Sequence, residues 1–116
     1  MKVFDSSRIG VAQGDLDLFS EFEQGGEMWT GQGPRERRRR VEFEQAFSEP
    51  PSVQVALTLW DMDNTHNQRV NISAQAVSET GFDAVFRTWL DTKVARVRVS
   101  WMAIGPVSDD DRWDVT

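Results

Sequence analysis

One tryptophan in this chain is predicted to lie on the polar face of a β-strand. Apolar and polar residues alternate from Phe82 onward, and this is the pattern of a strand with one buried and one wet face. Trp89 shares its face with Asp83, Val85 and Arg87, whereas Phe82, Ala84 and Phe86 lie on the opposite face. A large ring in that position needs something to cover it, so Trp89 indicates a binding surface.

The arginine run 35–40 allows two interpretations. It holds five of the 13 basic residues and could contact an anion or a nucleic acid. The run also passes directly into the alternating segment 41–44, which would divide the arginines between two faces and give them acidic neighbours. Guanidinium groups suit paired positions at subunit interfaces. The second interpretation is favoured, because the strand pattern separates the arginines and places acidic residues beside them.

A glycine-rich loop spans residues 25–34, with four glycines between Gly25 and Gly33. Glycines let a backbone approach a partner closely. A phosphate cradle is not expected, because neither the lysine pattern of a P-loop nor a following helix is present.

The polar loop 61–67 resembles a calcium loop only in part. Its aspartates supply oxygen ligands, but the EF-hand spacing fails because Ile72 occupies the twelfth position. His66 is the only histidine and there is no cysteine, so one chain cannot supply the usual zinc ligands. We expect no metal and no cofactor.

Enzymatic chemistry is also not expected. Without cysteine there is no thiolate nucleophile, and no Gly-x-Ser-x-Gly elbow occurs. The carboxylates lie in loops and in the tail, without an apolar setting that would shift a pKa.

Short alternating segments separated by Gly and Pro predict an all-β fold, a compact antiparallel β-sandwich. We expect strands over 3–14, 38–47, 53–59, 70–76, 82–89 and 96–103. The segment 16–22 is ambiguous, and its alternation favours a strand with a bend. The predicted core consists of Val53, Val55, Leu57, Val70, Ile72, Ala74, Phe82, Phe86, Val97, Val99 and Trp101.

Length and composition set the remaining expectations. The 116 residues predict one domain over 1–107, followed by a mobile acidic tail over 108–116. The acidic balance argues against a nucleic-acid partner, and no apolar run reaches membrane-spanning length. No signal peptide is visible after Met1, which fits a cytoplasmic protein or part of a particle or surface assembly.

A family resemblance covers residues 38–105. Its motifs run in order along the chain: Pro50-Pro51-Val53, Asn67-Gln68-Arg69-Val70, Thr80-Gly81-Phe82, Thr88-Trp89, Thr92-Lys93-Val94 and Ser100-Trp101. They resemble the H-type lectin domain, known from snail agglutinins and from the C-terminal part of the discoidins.

The resemblance implies a trimeric β-sandwich that binds galactose or N-acetylgalactosamine between neighbouring subunits. Arg69 then matches an arginine that bonds sugar hydroxyls, and Trp89 matches an aromatic residue from the adjacent subunit. Leu90 stands where the snail lectin has a histidine. The family has a loop that supplies backbone contacts and a carboxylate, and its counterparts here are Gly31, Gln32 and Gly33. No Asp or Glu lies at the position that matches the carboxylate.

Asp91 is a candidate to replace that carboxylate. An aromatic platform and a fork of donors also match a sugar's C–H face and hydroxyls. Two alternatives stay open: Trp89 fills a subunit interface, and Arg69 pairs with Asp61 or Asp63. We therefore expect a glycan partner and self-association as a homotrimer or dimer of trimers. The alternative function is a structural module of a trimeric spike or fibre in a phage-like particle.

Overall fold

The computed structural model describes residues 1–108, which form six strands and one helical turn. The elements are β1 (Ile9–Ser20), α1 (Glu27–Thr30), β2 (Arg35–Glu42), β3 (Ser52–Met62), β4 (Asn71–Gln75), β5 (Gly81–Thr88) and β6 (Val94–Pro106). They make two three-stranded antiparallel sheets, ordered β1-β6-β3 (sheet 1) and β2-β5-β4 (sheet 2). The predicted all-β class and antiparallel sandwich are confirmed.

The core lies between the two sheets and is rich in aromatic rings. Phe82 and Phe86 of β5 and Val97 and Val99 of β6 are essentially inaccessible to solvent. Trp101 of β6 contacts the Phe82 ring edge-on, with ring centroids 5.5 Å apart, and so joins sheet 1 to sheet 2. Of the eleven predicted core residues, Phe82, Phe86, Val97 and Val99 are buried members of the cluster, and the other seven are partly buried and pack against it. The predicted core left out seven buried members of the cluster, namely Leu18, Met28, Phe43, Phe47, Ala84, Val94 and Ala103.

Several predicted strand boundaries are wrong. The first strand begins at Ile9 rather than residue 3 and continues to Ser20, so the segment 16–22 is strand up to Ser20, as its alternation favoured. Its register shifts between Asp17 and Phe19, which is a bulge and accounts for the broken alternation there. β2 begins at Arg35 and ends at Glu42, which is earlier than predicted at both ends.

The arginine run is divided between the two faces of β2, as its alternation predicted. Arg38 and Arg40 both reach Asp83 on the neighbouring strand, at 2.8 and 3.3 Å. Arg37, on the other face, donates two 2.7 Å bonds to Glu21. The acidic partners of these arginines therefore come from the same chain.

The predicted acidic tail over 108–116 lies outside the described residues, apart from Ser108. Within residues 1–108, no helix is long and apolar enough to cross a membrane.

Candidate functional site

The turn after β5 presents two large apolar side chains to solvent. Trp89, the first residue beyond the strand, is 40% exposed, and Leu90 is 58% exposed. Leu90 has a φ of +58°, in the left-handed region that leucine seldom adopts. A strained backbone in an exposed turn is a feature of functional sites, and here it directs two hydrophobic side chains away from the core.

Arg69 is held next to this turn by two buried threonines. Its N–H donates to the Thr92 hydroxyl at 3.2 Å, and its carbonyl accepts a 2.6 Å bond from the Thr88 hydroxyl. Nη1 of Arg69 lies 2.6 Å from Oδ1 of Asp91. The expected alternative partners are wrong: Asp61 lies 3.6 Å from Arg96, and Asp63 accepts bonds from Thr65.

The ion pair leaves donors of Arg69 available. The hydrogen bond from Arg69 is the main cause that lowers the pKa of Asp91, so the carboxylate is charged at neutral pH. Among residues 1–108, Nε and Nη2 of Arg69 have no protein acceptor. A guanidinium fixed at one end and open at the other can donate to an incoming oxygen-rich ligand.

The glycine loop lies directly against the same turn. The N–H of Gly33 donates to the carbonyl of Leu90 at 2.8 Å. Gly33 has a φ of +78°, which favours glycine. A Cβ at Gly31 would come within 2.6 Å of the Glu27 carbonyl, so no side chain fits there. Gly31, Gln32 and Gly33 therefore lie beside Leu90 within one chain.

Arg35 is the residue that joins the loop to the turn, and the sequence reading missed it. Only 4% of it is exposed, and it donates to five carbonyls, those of Glu27, Met28, Gly33, Leu90 and Thr92. Burial lowers the pKa of Arg35 from its ordinary value. The only available signal was its place at the start of the alternating run, directly after a proline.

A groove of about 490 Å³ runs from Trp89 across the outer face of sheet 2. Its polar walls include Glu36, Asn71 and Arg87, and Nε of Arg87 lies 3.0 Å from Oε1 of Glu36. Asn71 and Arg87 are paired across β4 and β5, so both share the face of Trp89. Arg69 lies beside the groove rather than in its lining. Alternation alone would have identified Asn71, which was not singled out.

Metal-binding groups do not gather in this region. In the polar loop, Asp63 accepts 2.8 and 2.6 Å bonds from the Thr65 N–H and hydroxyl. His66 lies 3.5 Å from Asp63. Within residues 1–108, no group of three or more His, Asp or Glu side chains could hold a metal ion.

Within a single chain, Arg69 pairs with Asp91 and Gly33 bonds Leu90, so the glycine loop and Arg69 both adjoin the turn that carries Trp89. Fixed donors and an exposed aromatic ring on a β-sandwich are typical of one class of protein, a β-sandwich binding module. The model of the H-type lectin domain matches residues 38–104, and the chain belongs to that family.

Relatives support the family assignment. A protein of Fuscovulum blasticum named "ATP synthase subunits region ORF 7" is 50% identical over 107 residues, which is 92% of this chain and 93% of that protein. A discoidin-1 chain of Dictyostelium discoideum is 33% identical over 75 residues, covering 64% of this chain but 30% of the discoidin.

A solved structure shows the same fold. Discoidin II of Dictyostelium discoideum has a TM-score of 0.75 and 22% identity over 90% of this chain. This chain spans 40% of that discoidin chain, so the likeness concerns one part of the longer protein.

Proposed function

We propose that this chain is a carbohydrate-binding lectin module for a galactose- or N-acetylgalactosamine-type glycan. The observation that carries the proposal is the fixed Arg69 guanidinium, which keeps open donors beside an exposed tryptophan in an H-type lectin domain. The site comprises Arg69, Trp89, Leu90, Asp91, Gly31, Gln32 and Gly33.

Each part of the site suits one feature of a pyranose ring. The Trp89 ring offers an apolar surface to the C–H face of a sugar. Nε and Nη2 of Arg69 can donate to neighbouring hydroxyls, and Asp91 can accept from them. Leu90 adds apolar contact where a histidine stands in the snail lectin. We therefore expect that no hydrogen bond to the sugar is made from this position.

We further propose that the module assembles as a homotrimer or a dimer of trimers, with a neighbouring protomer completing the site. The exposure of Trp89 and Leu90 supports this, because both would otherwise stay wet. Several weak sites in one assembly would give useful avidity. Light scattering at micromolar protein tests the assembly, and a monomeric mass at physiological salt would contradict it.

The site is tested by replacing Arg69 with alanine and titrating methyl N-acetylgalactosaminide. Loss of bonds from a charged donor should cost about 1.5–3 kcal/mol of binding free energy. Arg98→Ala is the matched control, because Arg98 also pairs with an aspartate at 2.8 Å but lies on the outer face of sheet 1. Equal affinity of the two variants would show that the site lies elsewhere.

A further inference from the structure

A second cleft of about 420 Å³ lies at the end of sheet 1, where β1 and β3 end and β6 begins. Two aromatic side chains line it, Phe22 after β1 and Trp29 in α1. Their rings meet edge to face with centroids 4.9 Å apart, and Phe22 is 56% exposed. The cleft shares no residue with the Arg69 site or with the groove beside Trp89.

The segment that carries both rings is held in place by Glu21. This largely buried carboxylate accepts two 2.7 Å bonds from Arg37 and a 3.3 Å bond from the N–H of Met28. A Cβ at Gly26 would clash with the side chain of Glu21, so the loop packs tightly on it. Because Met28 is also fully buried, the turn that carries Trp29 is anchored to the core.

The polar lining of the cleft contains both acceptors and donors. Glu23 and Asp61 contribute carboxylates, Arg96 contributes a guanidinium, and Ser20 contributes a hydroxyl. Asp61 and Arg96 lie 3.6 Å apart and are both more than half exposed, so their remaining oxygens and N–H groups can reach a ligand.

This mixture selects one class of ligand. A cation is disfavoured because Arg96 lines the cleft and the Lys93 ammonium already lies 6.0 Å from the Trp29 ring centroid. An anion is disfavoured by the two carboxylates. A neutral molecule with an apolar C–H face and several hydroxyls matches the aromatic pair, the acceptors and the donors together.

We propose that this cleft is a second saccharide-binding site, so that each chain holds two. It goes beyond the proposed function, because it uses a different surface and different residues. Two sites on one chain would let the module contact two sugar units of a branched glycan, or two glycans, without assembly.

Tryptophan indole N–H signals in ¹⁵N-labelled protein can test the two sites separately. Trp29→Phe and Trp89→Phe assign the two signals, and methyl glycosides of galactose, N-acetylgalactosamine and glucose are the probes. We expect at least one glycoside to shift the Trp29 signal in a saturable manner. If none of the three moves it, the second site is ruled out.

Phe22→Ala and Asp61→Asn should each weaken the affinity measured from the Trp29 signal by about tenfold. Val11 is an equally exposed apolar residue outside the cleft, so Val11→Ala should leave that affinity unchanged. Thermal melting verifies that the variants fold. A Trp29 response of wild-type strength in both cleft variants would overturn the proposal. If a glycoside shifts the Trp29 signal but not the Trp89 signal, only the Arg69 site is refuted. If it shifts the Trp89 signal but not the Trp29 signal, only the cleft is refuted. If neither signal shifts, both sites are refuted.

Discussion

At the scale of single residues, two arginines have different roles: Arg35 organises the site, and Arg69 is the one proposed to bind the ligand. Arg69 is partly exposed and keeps free donors, whereas Arg35 is buried and uses its guanidinium on five backbone carbonyls. Arg35 therefore acts as a positioning residue, holding the glycine loop and the Trp89 turn against each other.

Replacing Arg35 with alanine should destabilise the protein by about 3 kcal/mol or more, because several buried carbonyls lose their donor together. Urea denaturation measures this. Arg39→Ala is the control, since Arg39 is exposed on the same strand and should cost less than about 0.5 kcal/mol. Similar losses in the two variants would contradict the role assigned to Arg35.

The Arg69–Asp91 pair makes a prediction about pH. The pKa of Asp91 is lowered from 3.8, mainly by the hydrogen bond from Arg69. A lowered carboxyl pKa means that the pair contributes fully above pH 3.8 and is lost as the pH falls through the lower folded value. The ¹³C signal of the Asp91 carboxyl should titrate below 3.8 in wild type and return towards 3.8 in Arg69→Ala. Identical titration in both proteins would show that the pair does not form.

The sequence could not reveal the burial of Arg35. Its neighbours in the run alternate correctly, and Arg37 to Arg40 reach the partners that alternation allows. The guanidinium of Arg35 is satisfied by nearby carbonyls of the glycine loop and by the carbonyls of Leu90 and Thr92, more than 50 residues along the chain, and no local pattern records such contacts.

At the scale of elements, the one-turn helix α1 is the piece that the sequence reading missed. Its four residues are too few to show a helical stripe. Strands β3 and β6 could be predicted because exposed and more buried residues alternate along most of each strand. β5 departs from that pattern, because Val85 on the face of Arg87 is fully buried. Met28 is the one buried residue of α1, so the burial of this side chain rather than a repeating pattern attaches the turn to the core.

Met28→Ala should therefore cost about 2–5 kcal/mol, the range for truncating a buried methionine. Met102→Ala makes the same chemical change at a residue that is 40% exposed on β6, and it should cost much less. Equilibrium unfolding of both variants checks the difference. Equal free energies of unfolding would mean that α1 is not anchored through Met28.

At the scale of the whole molecule, two tryptophans have opposite roles. Trp101 joins the sheets through contacts with Phe43 and Phe82, whereas Trp89 extends from the turn after β5. The alternation of β5 and β6 predicted this difference. It could not predict which surfaces meet in an assembly, because that depends on a second chain.

Trp101→Ala should cost about 3–5 kcal/mol of unfolding free energy, as truncation of large core aromatic residues does. Trp89→Ala should change folding less and impair glycan binding or assembly instead. Thermal unfolding with a parallel measurement of mass compares them. Comparable destabilisation by both substitutions would show that Trp89 is a core residue after all.

The central claim, that this H-type lectin domain binds a glycan through Arg69, is tested most directly on an array bearing galactose and N-acetylgalactosamine. Wild type and Arg69→Ala are compared there, with the mass of each checked by light scattering. Binding by wild type and its loss in the variant, at unchanged mass, is the predicted result. No binding by wild type would contradict the claim and favour a structural spike or fibre module, and undiminished binding by the variant would contradict the site.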